Sequence, residues 1–389
     1  MAVSLMKLLF VVADLNVESG GVTAIVCGLS QALVGRGHAV TIATVDGPGT
    51  PATPAGVLVQ RFPPDGPRGA SRGLRSFLCQ HTGEFDAVHI HGIWQKHGHY
   101  AAAAARRCGV AYLVAPHGML DQACLRMGRR WLKRLSWLLF DGPMVRGAWA
   151  VHCLNTAEYR VAPWLAGMRT VVIGNGIAGQ DLQSLPQRGA FRASHASYFG
   201  GAMQARPMAL FLSRVHPKKG LDRLLAHWKL ALARRPDLLL VIAGAGDAPY
   251  VDQLKLQCQR EGIQDSVLWA GQLVGRDKWQ ALVDADVFVL ASHQEGFSMA
   301  ITESLAAGCP VVITEECHFD QVQQNNAGRV IASGDMTAFM HAVVEVVADA
   351  SGRARMAANG QKLVRENYTW DRIAALAEAV YKNLPPPKP

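Results

Sequence analysis

Short apolar runs alternate along this chain with stretches of helical spacing. Runs of about four to eight residues rich in Val, Ile, Leu and Phe, without polar-apolar alternation, are what a parallel strand covered on both faces requires. They occur at residues 6–13, 38–43, 86–91, 111–115, 148–154 and 170–173, and again at 208–212, 238–243, 267–271, 287–290 and 311–314. Helical segments lie between or after them, at 22–36, 100–108, 298–307, 336–348, 352–366 and 371–384. Strand, helix, strand in repetition predicts an α/β protein with parallel sheets. The series breaks twice. Residues 47–71 are rich in Pro and Gly and predict an irregular stretch, and residues 183–207 are polar, Gly-rich and predict a linker.

A chain of 389 residues is too long for one ordinary core. The expected division is a first Rossmann-like domain over 1–182, the linker at 183–207, a second Rossmann-like domain over 208–370, and a terminal helix with its tail at 371–389. Half of the residues are hydrophobic and 18% are charged, which excludes a disordered chain. No apolar run reaches the length of a membrane-spanning helix, and the opening MAVSLMKLLFVV has neither a basic leader nor a small-residue cleavage site. It predicts a first strand in a cytoplasmic protein. The eight cysteines are scattered with no C-x-x-C, consistent with reduced thiols and no zinc site.

The net charge of +9 is uneven, with 17 basic against 10 acidic residues over 1–185 and 22 against 20 over the remainder. A basic first half points to an anionic partner, either a membrane surface or a pyrophosphate-linked lipid. Nucleic acid is disfavoured, since no basic run is interleaved with aromatics. Residues 125–140, LRMGRRWLKRLSWLLF, gather Arg126, Arg129, Arg130 and Lys133 on one helical face and Trp131, Leu132, Leu135, Leu138 and Leu139 on the other. Two readings stay open: an interfacial helix on an anionic membrane, or a helix with an apolar core face and a solvated basic face.

The chemistry is densest at 287–314, VFVLASHQEGFSMAITESLAAGCPVVIT, which reads as strand, loop, helix, strand. Glu295 falls in the loop and Glu303 in the helix, so both can face the crevice at the carboxyl end of a parallel sheet, where open α/β folds bind ligands. The free N–H groups at the helix start, from about Phe297 to Ala300, can meet hydroxyls or an anion. This Glu-x7-Glu stretch with its flanks resembles the family-four (group 1) retaining glycosyltransferases of GT-B fold, and in particular enzymes of exopolysaccharide and lipopolysaccharide biosynthesis.

The resemblance implies a fold and a set of roles. The fold is two Rossmann-like domains facing a cleft, with the last helix crossing back onto the first domain. SRVHPKKG at 213–220 is similar to the family's diphosphate site, which assigns Arg214 and Lys219 to the donor's pyrophosphate. Glu303 falls to the ribose hydroxyls, and Glu295 to hexose hydroxyls with the backbone of Gly296, Phe297 and Ser298. Gly244 and Gly246 (GAGD) would line the nucleotide pocket, and Gln272 and Leu273 would meet the base through their backbone. His117, in P-H-G at a strand's carboxyl end, falls on the family's active-site histidine near the donor hexose. Gly20 and Gly21 fall on its glycine loop, near donor phosphate and acceptor. Taken alone, that Gly-Gly is equally an ordinary turn.

Chemistry of this kind needs a nucleoside-diphosphate sugar as co-substrate and no cofactor. A metal is not expected. His89, His91, His97, His99 and His117 lack an acid or thiol to complete a ligand set. Asp284 and Asp286 spell D-x-D, but they precede a strand, where Asp286 is structural in the family. The expected function is retaining transfer of a hexose to a lipid-linked or oligosaccharide acceptor in bacterial surface polysaccharide synthesis. The alternatives are a nucleotide-sugar epimerase of the same fold and a non-catalytic sugar- or lipid-binding subunit. A phosphorylase of this fold would need a pyridoxal-phosphate lysine, for which no motif is present.

Overall fold

The computed structural model describes residues 5–16, 21–45, 49–121, 125, 130–195 and 206–386. It divides into two units, one of residues 1–178 with 369–389, the other of residues 179–368.

The first unit is built on a parallel sheet of β1 (Lys7–Val12), β2 (Ala39–Val45), β3 (Leu58–Phe62), β4 (Ala87–His91), β5 (Tyr112–Ala115), β6 (Ala150–Cys153) and β7 (Thr170–Val172), in the order β3-β2-β1-β4-β5-β6-β7. β1 shows why its sequence is apolar throughout. Successive side chains point to opposite faces, and both faces are covered. Leu9 and Val11 join a core with Leu74, Leu78 and Ala101, Ala102, Ala104 and Ala105 of the Lys96–Arg107 helix. Leu8, Phe10 and Val12 join another with Val26, Leu29 and Leu33 of the Gly21–Gly35 helix. That second core is completed from the far end of the chain. The Trp370–Lys382 helix crosses back and buries Ile373, Ala374, Ala377 and Tyr381 there. Buried Glu378 on this helix receives Arg36 and Lys382, and those hydrogen bonds, Lys382's foremost, hold its carboxyl down at about 2.

The second unit repeats the plan with β8 (Met208–Leu212), β9 (Leu239–Ala243), β10 (Val267–Gly271), β11 (Val287–Leu290), β12 (Val311–Thr314) and β13 (Gly328–Ile331), in the order β10-β9-β8-β11-β12-β13. In both sheets the order reverses beside the first strand, between β1 and β4 and between β8 and β11. That reversal opens a crevice at the carboxyl ends of the two flanking strands, the usual ligand position in such sheets.

Several expectations need correction. The Pro- and Gly-rich stretch at 47–71 contains β3, which pairs along its length with β2. It went unseen because LVQRF is a half-exposed edge strand with polar residues inside it. β13 was also missed. The expected helix at 100–108 begins at Lys96. The stretch at 183–207 is partly structured: the Ala190–Ser194 helix is tied to the second unit by Asp284, which accepts from the N–H groups of Gly189 and Arg192. Arg188 pairs with Asp286 at 2.7 Å, and Asp286 also takes the N–H of Met208 at 2.8 Å. The D-x-D carboxylates are thereby engaged in fixing chain segments. In the 125–140 stretch, Arg126 and Arg129 lie outside the described residues. So do residues 127–128; from Arg130 the stretch is an α-helix, Arg130–Ser136, that widens into a π-helical turn, Trp137–Asp141.

Candidate functional site

The loop after β8 and the loop after β11 meet at the reversal point of the second sheet. Lys219 closes a short 3-10 turn, Pro217–Lys219, and Gly220 follows at φ 65°. A side chain at Gly220 would put its Cβ 1.8 Å from the carbonyl oxygen of Ala291, so glycine is what lets the two loops touch. His293 donates its N–H to the carbonyl of Lys218 at 2.8 Å and locks the contact. The result is an ion pair. Lys219 Nζ donates to both carboxylate oxygens of Glu295, at 2.7 and 2.8 Å, and Ser292 Oγ donates to Glu295 Oε1 at 2.5 Å. The lysine side chain is 17% exposed and the glutamate 7%, so the pair is mostly out of water but still reachable.

Arg223 supports this loop from beneath. Its guanidinium donates to the carbonyls of Ala291 and Ser292 and reaches Thr314 Oγ1 at 3.4 Å. Glu295 donates its own N–H to the carbonyl of Glu316 at 2.9 Å. The rotamer of Glu295 is therefore held by a lysine and a serine, and its backbone by the turn after β12. Downstream, Phe297 packs with Phe319 and Tyr368, at centroid distances of 5.5 and 5.9 Å. Ser298 stands at the start of the Met299–Ala306 helix and is buried, with no side-chain cap. Gly296 lies between them in the loop.

Arg214 is exposed and pairs with no carboxylate among the described residues, which leaves its charge available. Gly244 and Gly246 sit where the loop after β9 runs against the loop that carries Arg214. A Cβ at Gly244 would lie 1.8 Å from the carbonyl of Ser213, and one at Gly246 2.4 Å from that of Val215. Their glycine character is thus accounted for by this backbone approach, independent of any ligand. Gln272 is exposed and Leu273 half-buried in the loop after β10.

Glu303 lies on the Met299–Ala306 helix and does not join the Lys219–Glu295 pair. Its Oε1 accepts from Lys278 Nζ at 2.7 Å. Burial raises the Glu303 carboxyl above its usual range, Lys278 opposes that, and the negative charge of Asp181 adds to it.

In the first unit, His117 follows β5 with φ at 52°, a left-handed backbone uncommon outside glycine, though less so for histidine than for most residues. Its Nε2 is 3.1 Å from His91 Nδ1, and the two rings stack at 18°. His91 ends β4, so this pair borders the reversal point of the first sheet. Behind it runs a second chain of imidazoles. His152 Nε2 donates to the carbonyl of Ile173 at 2.8 Å, so in the neutral ring its Nδ1 accepts from His89 Nε2 at 3.1 Å. His89 Nδ1 in turn accepts from the hydroxyl of Tyr381 at 2.8 Å. Burial drives all of them toward the neutral form, His117 down to about 3 and His152 to about 4. These histidines bind one another and the backbone, and among the described residues no group of three or more His, Cys, Asp or Glu is placed to hold a metal. Gly21 opens the Gly21–Gly35 helix with open space where a Cβ would be, and Gly20 lies outside the described residues.

The sequence reading missed Lys278, Arg223 and the His91–His117 contact. Arg223 carried a signal, as a charge among Leu221, Leu224 and Leu225, all buried on one helix face. Lys278 carried none, being 25 residues from the carboxylate it meets.

Comparison with known proteins identifies the family and the fold. Residues 200–363 match the family model of glycosyl transferases group 1, and residues 20–176 match that of the glycosyl transferase 4-like domain. The chain is 27% identical over 231 residues to the lipopolysaccharide core biosynthesis mannosyltransferase LpsB of Rhizobium meliloti, covering 58% of this chain and 64% of that one. It is 24% identical over 382 residues to a phosphatidyl-myo-inositol mannosyltransferase of Mycobacterium leprae, covering 94% and 93%. Among solved structures, Anabaena HepE in complex with UDP and glucose superposes with a TM-score of 0.77 at 19% identity, over 97% of this chain and all of that one, and shows the shared fold. The two family models together take in most of both sheets and the loops described above, and the chain belongs to the group 1 glycosyltransferases, with the two Rossmann-like units of the GT-B fold.

Proposed function

We propose that this chain transfers a hexosyl group, with retention at the anomeric carbon, from a UDP- or GDP-linked sugar to a lipid-linked or oligosaccharide acceptor in bacterial surface polysaccharide assembly. The observation that carries the reading is the cationic loop of Arg214 and Lys219 at the reversal point of the second sheet, joined to Glu295. The relatives named for lipopolysaccharide core and phosphatidyl-inositol mannosylation support an acceptor of this class.

Arg214 and Lys219 take the diphosphate. As the bond from the anomeric carbon to the diphosphate oxygen breaks, the electron pair leaves with the phosphate, and fixed cations stabilise the charge as it develops. The acceptor oxygen forms its bond to the same carbon on the same face, and its proton passes to the departing phosphate oxygen. Neither glutamate is the nucleophile on this path. Glu295 and the backbone N–H groups of Gly296, Phe297 and Ser298 orient hexose hydroxyls, Glu303 takes the ribose, and His117 contacts the hexose near its C6 hydroxyl. Gly244 and Gly246 border the nucleotide, Gln272 and Leu273 offer backbone to the base, and the Gly20–Gly21 loop lies by donor phosphate and acceptor. No metal is assigned, because cations and helix N–H groups do the work of charge neutralisation.

The described part of the 125–140 stretch supports a docking role at the inner face of the membrane. Of the apolar face forecast for it, Trp131, Leu135, Leu138 and Leu139 lie open, Leu138 at 67%, while Leu132 is half-buried; Phe140 is exposed as well, and Arg130, Lys133 and Arg134 stand beside them. Asp141, fully buried, takes hydrogen bonds from Trp94 N–H, His99 and Ser136 and so fixes the turn that presents them. No described helix is long and apolar enough to cross a membrane. Apolar side chains beside cations fit an anionic bilayer surface.

The test is a thermal-shift screen against UDP-, GDP- and ADP-sugars, since a ligand of the folded state raises Tm by mass action, followed by NMR of the stabilising donor with the enzyme. The reading expects stabilisation by UDP or GDP sugars and no epimer formed from donor alone. Conversion of donor to its epimer without acceptor would overturn it.

A further inference from the structure

We propose that Lys278 is a positioning residue for the donor's ribose: it ties down one oxygen of Glu303 and leaves the other aimed for the ribose hydroxyls. The inference rests on the assignment of Glu303 to the ribose and goes one residue beyond it. No residue of the Glu-x7-Glu or diphosphate motifs includes Lys278.

Three observations carry it. The first is contact: Lys278 Nζ donates to Glu303 Oε1 at 2.7 Å, and the second carboxylate oxygen has no such donor among the described residues. A carboxylate offers about four lone-pair sites, so one oxygen bound to a lysine still leaves room for a diol. The second is placement. Lys278 comes from the Gly275–Asp284 helix, which directly follows the loop of Gln272 and Leu273, while Glu303 comes from the helix that follows Glu295. The ion pair thus ties the segment assigned to the base to the helix assigned to the sugar. The third is electrostatic surroundings. The charged groups acting on Glu303 are Lys278 and, from the Gly179–Gln183 helix, Asp181, which opposes ionisation. From the Ala350–Asn367 helix, the packing contact on the same helix is Gly360 against Leu305, which brings no charge. Lys278 is therefore the cation that favours the ionised form of the half-buried carboxylate against its burial, and an ionised carboxylate accepts ribose hydroxyls far better than a neutral one. The lysine is itself 24% exposed and lies 5.3 Å from the Trp279 ring, which limits its swing.

The test compares the full-length protein with K278M, K278R and E303A. Whichever of UDP, GDP and ADP binds is titrated calorimetrically against its dideoxyribose analogue, across pH 5 to 8. In the wild type the ribose form should bind tighter than the dideoxy form by about tenfold or more, the worth of one charge-assisted hydrogen bond. K278M should bring that ratio close to one and move the acid limb of nucleotide binding to higher pH. K278R should restore both. The loss should fall on the KM of the donor and not on kcat, and a Tm near wild type for K278R controls for folding. A K278M protein that keeps the full ratio while E303A abolishes it would overturn the role of Lys278 and leave that of Glu303 standing. A ratio untouched in E303A would overturn the ribose assignment and the inference with it, as would failure of all three nucleotides to bind.

Discussion

Imidazoles stand at the carboxyl ends of the first sheet, and ion pairs stand at those of the second. The two units share a strand order and a reversal point, yet they furnish it in opposite ways. In the first, His91 and His117 stack as neutral rings in front of the buried His89–His152 chain. In the second, Lys219 with Glu295 and Lys278 with Glu303 place charge at a partly wet surface. The contrast teaches that the fold supplies a position and the side chains decide the use. Fixed cations suit a diphosphate, whereas neutral, tautomer-locked rings suit hydroxyls.

The contrast breaks most visibly at Lys219. K219A should lower turnover by about a hundred- to a thousandfold, the scale seen on removing one preorganised group from developing charge, with the protein still folded. Steady-state kinetics with calorimetry checks this, and an undiminished rate would remove the diphosphate from that loop. E303A comes next. It should raise the donor KM about tenfold or more with a smaller change in kcat, readable by the same assay.

The first unit responds to acid instead. His97 and His152 are held at about 4 and His117 at about 3 by burial, against an ordinary 6.5. Because these folded values lie below the unfolded one, the unfolded chain binds more protons as pH falls through 6.5. Stability is full above 6.5 and is lost progressively toward 4. Each such histidine should cost about 1 kcal/mol per pH unit in that window. Denaturant melts at pH 7 and pH 5.5 should show the loss, and H152N should reduce it. A smaller structural effect is expected at G246A, about 1–3 kcal/mol, because a Cβ there meets the carbonyl of Val215. The smallest lies on the exposed helix. L138D should change stability by less than about 0.5 kcal/mol while reducing sedimentation with anionic vesicles.

Much of this was legible beforehand. The buried strands declared themselves because both faces of each sheet are covered, so no polar alternation interrupts them. Glu295 and Glu303 stood out as carboxylates next to the apolar β11 run, whereas Lys219 was marked only by the family resemblance; the structure joins Lys219 to Glu295 and leaves Glu303 in a separate pair. What stayed hidden depended on distance in sequence or on exposure. β3 is a half-exposed edge with an Arg and a Gln inside it. Lys278 becomes meaningful only when two helices bring it to Glu303. Gly244 and Gly246 could be marked but not explained, since their reason is a neighbouring loop's carbonyls. The same limit applied at 125–140, where amphipathic spacing gave two faces but could not say that the apolar one is exposed.

The most direct test of the central claim is a structure of the protein with its nucleoside-diphosphate sugar bound. The account predicts phosphate oxygens within hydrogen-bonding distance of Arg214 and Lys219, Lys219 shared with Glu295, and no bridging metal. A diphosphate held away from both side chains, or bridged to the protein by magnesium, would contradict it.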